Sequence, residues 1–110
     1  MASFGSWLGF RPGAGEHEIV LETRAEHEVV PGTIHFAVLT TLGEVAAAAA
    51  VGASVVPAAL QAQLVSRARP GTLVARGRLV KRGARLAFAR GEVEQDGKLV
   101  AAVDVTFALI

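Results

Sequence analysis

The stretch Pro31-Gly32-Thr33-Ile34-His35-Phe36-Ala37-Val38-Leu39-Thr40-Thr41-Leu42-Gly43-Glu44-Val45, continued by the alanines 46–50 and Val51, decides how this chain folds. Pro31-Gly32 breaks whatever precedes it, and Thr33 is placed to cap a helix by accepting a hydrogen bond from the first free backbone N–H groups. The helix itself is expected from roughly His35 to Val51, with Gly52 as its stop. Ile34, Val38, Leu42, Val45 and Ala49 recur at three- and four-residue spacing, so they form one stripe that must press on another layer. A membrane span is a poor alternative, because Thr33, His35, Thr40, Thr41, Gly43 and above all Glu44 interrupt the run, and alanine contributes little to insertion.

On the N-terminal side, Ile19, Leu21, Thr23 and Ala25 alternate with Glu18, Glu22, Arg24, Glu26 and Glu28. This is the period-two pattern of a strand with one wet face, expected over Glu16 to Glu28. On the C-terminal side the period of two returns in four runs: Ala59 to Ala68, Thr72 to Arg82, Ala84 to Gln95, and Leu99 to Leu109. Pro70-Gly71 ends the first, Gly83 marks a hairpin after the second, and Asp96-Gly97 predicts a type I′ hairpin turn after the third. The order is therefore β-α-β-β-β-β, with consecutive strands expected as antiparallel neighbours. The fold class is α+β, one helix lying on an antiparallel sheet, in a single domain over residues 1–110.

The 110 residues suffice to close a core without crosslinks, and no cysteine is present, which excludes thiolate nucleophiles, disulfides and cysteine-bound metal centres. The first residues, Met1 to Gly15, lack a basic segment followed by an unbroken apolar run, and the chain is expected to be cytoplasmic. Apolar residues make up 52% of the sequence and charged residues 19%, less charge than a typical soluble domain carries, so part of the apolar surface is expected to face a second copy. The net charge of +1 conceals a segregation, since Glu44 is the sole acid between Glu28 and Glu92, an interval that holds Arg67, Arg69, Arg76, Arg78, Lys81, Arg82, Arg85 and Arg90. Such a stripe either attracts a phosphorylated ligand or is a set of solvated strand residues. Nucleic-acid binding is not expected, because no exposed aromatics are interleaved for stacking.

Taken in this order, the segments Pro31-Gly32-Thr33-Ile34-His35, Leu42-Gly43-Glu44, Arg69-Pro70-Gly71-Thr72-Leu73-Val74-Ala75, Arg82-Gly83-Ala84-Arg85-Leu86-Ala87-Phe88 and Asp96-Gly97-Lys98-Leu99-Val100-Ala101 resemble the hotdog fold. More narrowly, they resemble its acyl-CoA thioesterases of the phenylacetate-pathway type. The resemblance covers about Phe10 to Phe107. The family pattern Asn-x-x-Gly-x-x-His-Gly-Gly, with an acid seven residues after the second glycine, reads here Val29-x-x-Gly32-x-x-His35-Phe36-Ala37 with Glu44 at the acidic position. Gly32, His35 and Glu44 match; Val29, Phe36 and Ala37 depart. The resemblance implies that Glu44 acts as base or nucleophile on a thioester and that the Ala37 amide polarises the carbonyl. It implies an acyl-CoA substrate, a homodimer or homotetramer, and no cofactor or metal. A noncatalytic acyl-CoA binding module and a structural dimerisation domain are the alternatives.

Independent of the resemblance, Glu44 shares a helix face with Ala37, Thr40 and Thr41, and Gly43 beside it invites close approach by a ligand or second subunit, since glycine costs about 1 kcal/mol relative to alanine in a helix interior. His35, nine residues earlier, is out of phase with Glu44, which argues against a dyad within one chain; it is expected with Glu44 and Ala37 in the catalytic set, where it orients the loop or receives a hydrogen bond from a partner subunit, the alternative being a satisfied structural histidine. His17 and His27 read as structural, without metal-ligand spacing. The expected substrate-binding set is Gly32, Phe36, Thr40 and Thr41, with Lys81, Arg82 and Arg85 around the Gly83 hairpin as candidates for the CoA phosphates. Phe4, Trp7, Leu8 and Phe10 are expected as an amphipathic cover.

Overall fold

A computed structural model describes residues 3–110 and gives the hotdog architecture, one long helix against a curled antiparallel sheet. The elements in chain order are α1 (Phe4–Leu8), β1 (Arg11–Pro12), β2 (Glu18–Glu22), a 3₁₀ turn (Ala25–His27), β3 (Glu28–Val30), β4 (Thr33–Ile34), α2 (Phe36–Val51), β5 (Val55–Leu64), β6 (Thr72–Arg82), β7 (Leu86–Gln95) and β8 (Lys98–Leu109). Six strands form the main sheet in the order β1-β2-β6-β7-β8-β5, and β3 pairs with β4 in a small second sheet.

The expected strand over Glu16 to Glu28 is shorter, because β2 ends at Glu22 and the chain turns at Ala25–His27. The turn is fixed by a buried histidine. His27 Nδ1 accepts from the Arg24 N–H at 3.0 Å, while Nε2 donates to the Leu8 carbonyl at 2.6 Å. The structural reading of His27 therefore holds. Arg24 adds to the same tie by donating to the Leu8 and Trp7 carbonyls at 3.1 and 2.8 Å, closing the C-terminal end of α1. Leu8 and Phe10 are buried under this cover, whereas Phe4 and Trp7 stack on one another in solvent with ring centroids 6.0 Å apart.

Consecutive strands are antiparallel neighbours along β6-β7-β8, but β5 is not a neighbour of β6. It pairs with β8 at the far edge, Leu60 opposite Val105 and Ala62 opposite Val103, while β2 takes the place beside β6 with Ile19 opposite Ala75. The connection from β5 to β6 is a loop through Arg67, Arg69 and Pro70-Gly71 that crosses the end of the sheet, not a hairpin. Between β7 and β8, Asp96 and Gly97 both have positive φ, 53° and 76°, which is the type I′ geometry expected of that pair.

Helix α2 sits close against the sheet. A Cβ on Gly91 would overlap the Gly43 carbonyl, a Cβ on Gly77 would overlap the Ala46 carbonyl, and a Cβ on Gly43 would meet Val103 Cγ2 at 2.5 Å. Gly43 therefore serves the helix–sheet contact and not the approach of a ligand. The helix stripe is displaced accordingly. Val38, Leu39, Leu42, Gly43, Ala46, Ala47 and Val51 are buried, while Ala49 is exposed and Val45 only partly covered. No side chain fits at the glycine crossing, and the core divides around it. Ile34, Val38, Leu39 and Leu42 pack with Leu21, Leu73, Ala75 and Val93 on one side; Ala47 and Val51 pack with Ala89, Val103, Val105 and Phe107 on the other.

In an isolated helix, alanine at Gly43 would gain about 1 kcal/mol; against Val103 the overlap outweighs that gain. The backbone contact at Gly91 allows no side-chain adjustment, so Gly91→Ala should destabilise the fold by at least the roughly 1–3 kcal/mol typical of overpacking. Thermal denaturation of Gly91→Ala checks this, and an unchanged midpoint would show that the helix does not need the close approach.

Candidate functional site

The helix entrance is built differently from the expected cap. Thr33 lies in β4, paired with Val30, and cannot cap α2; the N-cap is His35, whose Nδ1 accepts from the Ala37 N–H at 3.0 Å. An imidazole accepting at Nδ1 carries its proton on Nε2. Two consequences follow for the expected site. The Ala37 amide, the expected donor to a thioester carbonyl, is engaged by its own chain, its N–H directed at the His35 ring. Phe36, exposed and stacked on His35 at 4.7 Å, stands over the same point.

Gly32 precedes this entrance with φ +87°, a left-handed conformation, and both its backbone groups are occupied: its N–H donates to Glu28 Oε1 at 2.7 Å and its carbonyl accepts from Arg67 Nη2 at 3.2 Å. The Ile34 N–H donates to the Ala68 carbonyl at 3.0 Å, so the β5–β6 loop and the helix entrance are tied together.

Ala37, Thr40, Thr41 and Glu44 lie at i, i+3, i+4 and i+7 on the side of α2 turned away from the sheet, and none of the four is buried. Thr41 Oγ1 donates to the Ala37 carbonyl at 2.7 Å. Glu44 makes no ion pair among the described residues. Burial among the helix alanines raises its carboxyl above the ordinary value of 4.5. A half-buried carboxylate without a cationic partner binds a proton more readily than an exposed one, the direction a general base requires.

Lys81, Arg82 and Arg85 do not join this face within one chain. They stand exposed at the β6–β7 hairpin, where Arg82 Nη1 donates to the Val51 carbonyl at 3.3 Å and so marks the opposite, C-terminal end of α2. Two other arginines of the basic stretch are neutralised on the outer sheet face: Arg76 pairs with Glu18 at 3.1 Å and Glu94 at 2.8 Å, and Arg90 with Asp104 at 2.8 Å and Glu92 at 3.2 Å. Arg90 draws the Asp104 carboxyl below its usual range. The positive charge that remains free near the helix entrance is on Arg67, Arg69 and Lys98, which line a cleft of about 480 Å³ to which no role was expected from the sequence. Its walls come from the β5–β6 loop and the Asp96-Gly97 turn, close in space but far apart in the chain.

Residues 31–102 match the thioesterase superfamily, and the chain belongs to that family. No curated protein matches the sequence. Among solved structures, a point mutant of the phenylacetic acid degradation protein PaaI from Thermus thermophilus is 28% identical with a TM-score of 0.87, covering 97% of this chain and 98% of the other. A thioesterase from Haemophilus influenzae, 22% identical, has a TM-score of 0.86 over 98% of this chain and 82% of its own. A Bacillus halodurans protein solved with CoA, also 22% identical, has a TM-score of 0.89 over 100% of this chain and 78% of its own. At such identities the last two show the shared fold. No described helix is long and apolar enough to cross a membrane.

The raised Glu44 pKa has a stability consequence of definite sign. The protonated form is favoured in the folded state, so its contribution is fully present below the unfolded pKa and is lost as pH rises through the folded one. Glu44→Gln should therefore melt above wild type near pH 7, with the two midpoints converging at about pH 4. Melting curves across that range test it, and a constant difference would show that Glu44 ionisation is not what burial penalises.

Proposed function

We propose that this chain hydrolyses acyl-CoA thioesters with Glu44 as the catalytic carboxylate. The observation that carries the reading is the isolated, half-buried Glu44, its pKa raised, on the open face of α2 in a member of the thioesterase superfamily. Glu44 takes a proton from a water molecule, whose oxygen adds to the thioester carbon. The carbonyl oxygen becomes an oxyanion and receives the Ala37 N–H of a second copy of the chain, because seven helical residues, about 10 Å along the axis, separate Ala37 from Glu44 within one chain, with His35 rotated off that donor. Collapse of the tetrahedral intermediate breaks the C–S bond, and the proton held on Glu44 passes to the departing thiolate, giving a carboxylic acid and CoA. Direct attack by the Glu44 carboxylate, followed by hydrolysis of the anhydride, gives the same products. Thr40 and Thr41 border the reacting group, and Gly32 and Phe36 shape its approach.

Glu44→Gln should lower kcat by at least about a hundredfold, the lower range of general-base contributions. The wild-type kcat should rise with pH to a plateau through an apparent pKa above the ordinary carboxylate range. A panel of aliphatic and aromatic acyl-CoAs, followed by thiol release, tests both. Equal rates for mutant and wild type would remove Glu44 from catalysis. The occupied Ala37 amide favours a second reading, a module that binds acyl-CoA without turnover, for which calorimetry would show binding where the thiol assay shows nothing.

The same reading includes a homodimer or homotetramer. Strand β5 runs ten residues with one edge free of partners among the described residues, and Leu60 and Leu64, on its helix-side face, are 48% and 51% exposed. A long apolar free edge is a template for pairing with a second strand. Sedimentation at micromolar concentration should show a dimer or tetramer that Leu60→Lys dissociates; a wild-type monomer would contradict this assembly.

A further inference from the structure

The cleft beside the helix entrance has the makings of a phosphate site. Ser66, Arg67, Arg69, Pro70, Thr72 and Lys98 line it together with Gln95, Asp96 and Val100. Its neutral polar side chains are already spent. Ser66 Oγ donates to the Leu99 carbonyl at 3.1 Å, Thr72 Oγ1 to Glu22 Oε2 at 2.8 Å, and the Gln95 amide both donates to the Arg69 carbonyl at 2.7 Å and accepts from the Arg69 N–H at 2.9 Å. That two-way clamp fixes the loop backbone and leaves the Arg69 guanidinium free. Arg67, Arg69 and Lys98 have no acidic partner among the described residues, and Asp96 is the one acid in the lining, so three positive groups against one negative leave a net charge of +2 in a concave site. A recess whose unspent donors are cationic selects an anion, and guanidinium groups favour the paired oxygens of phosphate.

The position of the cleft supplies the rest. Arg67 bonds the Gly32 carbonyl and the Ala68 carbonyl bonds the Ile34 N–H, so the cleft abuts the start of α2, while Glu44 lies nine residues on from His35, roughly 14 Å along the axis. A ligand that reaches both must carry its phosphates well away from its reacting carbonyl, as a CoA thioester does through its pantetheine arm. We propose that Arg67, Arg69 and Lys98 bind the phosphate groups of the nucleotide end of CoA, in place of the Lys81, Arg82 and Arg85 hairpin at the other end of the helix. This assignment rests on the acyl-CoA reading above.

The test is calorimetric titration of the intact protein with CoA, pantetheine and inorganic pyrophosphate. CoA should bind at least roughly tenfold more tightly than either of the others, and Arg69→Ala and Lys98→Ala should each weaken CoA by up to roughly tenfold and flatten its salt dependence. Arg69→Lys should recover part of the loss, and Lys81→Ala and Arg85→Ala should bind CoA as wild type does. The Lys98 side chain makes no hydrogen bond or ion pair among the described residues, so Lys98→Ala serves as the variant least exposed to misfolding. Unchanged CoA affinity in both cleft variants, weakened affinity in the hairpin variants, or pantetheine or pyrophosphate binding as tightly as CoA would each overturn the assignment. CoA bound through the cleft with no acyl-CoA cleaved would leave it standing while removing the hydrolase reading; cleavage with unaltered KM in the cleft variants would do the reverse.

Discussion

Everything in this molecule is arranged around the near-contact of two backbones. Helix α2 crosses the sheet where Gly43 meets Gly91 and Ala46 meets Gly77, with no side chain between them. Apolar burial elsewhere holds the two layers together, but the missing Cβ atoms set the distance at which they can close. The low seat of the helix explains why alanines suffice for much of its buried face and why the larger residues collect in two clusters on either side of the crossing. It also turns Ala37, Thr40, Thr41 and Glu44 away from the sheet, leaving a carboxylate on the outside of a helix whose inside is packed solid.

Much of this was legible in the sequence, and the failures have physical reasons. The run Thr72 to Arg82 is β6 residue for residue, and Asp96-Gly97 makes the turn its residue types demand. The period of two tells which residues share a face, but it carries no information on which strand lies alongside; hence β5 was expected beside β6 and lies beside β8. Gly43 is a gap in a helix whatever fills it, and only the fold reveals that the filler is the sheet backbone. At the helix start, Thr33 has the better capping side chain, yet its pairing in β4 removes it and hands the cap to the His35 ring. The alternation through Thr23 to Glu28 continues across a 3₁₀ turn because exposed glutamates look alike in a strand and in a turn.

The site was legible where it is local. Helical spacing alone assembles Ala37, Thr40, Thr41 and Glu44, and the lone acid in a long basic interval singles out Glu44. The cleft was not, because Arg67 and Arg69 meet Lys98 only when the β5–β6 loop and the β7–β8 turn close at the same end of the sheet. Nor could composition show which arginines are available. Arg76 and Arg90 stand among acids from neighbouring strands and serve the outer surface, so the apparent basic stripe divides into charges paired there, Arg78 opposite Arg90 without an ion pair among the described residues, and free charges at the two ends of α2.

The N-terminal cover shows how few contacts can govern a segment. Arg24 and His27, three residues apart on one short turn, converge on the carbonyls of Trp7 and Leu8. The same histidine ring secures the turn itself through the Arg24 N–H. Cover and turn are therefore one cooperative unit: the hydrogen bonds that end α1 and those that shape residues 24–27 form and break together. Amide exchange in these two stretches, so distant in the chain, should therefore proceed through one shared opening that uncovers Leu21 and leaves the glycine-seated helix in place.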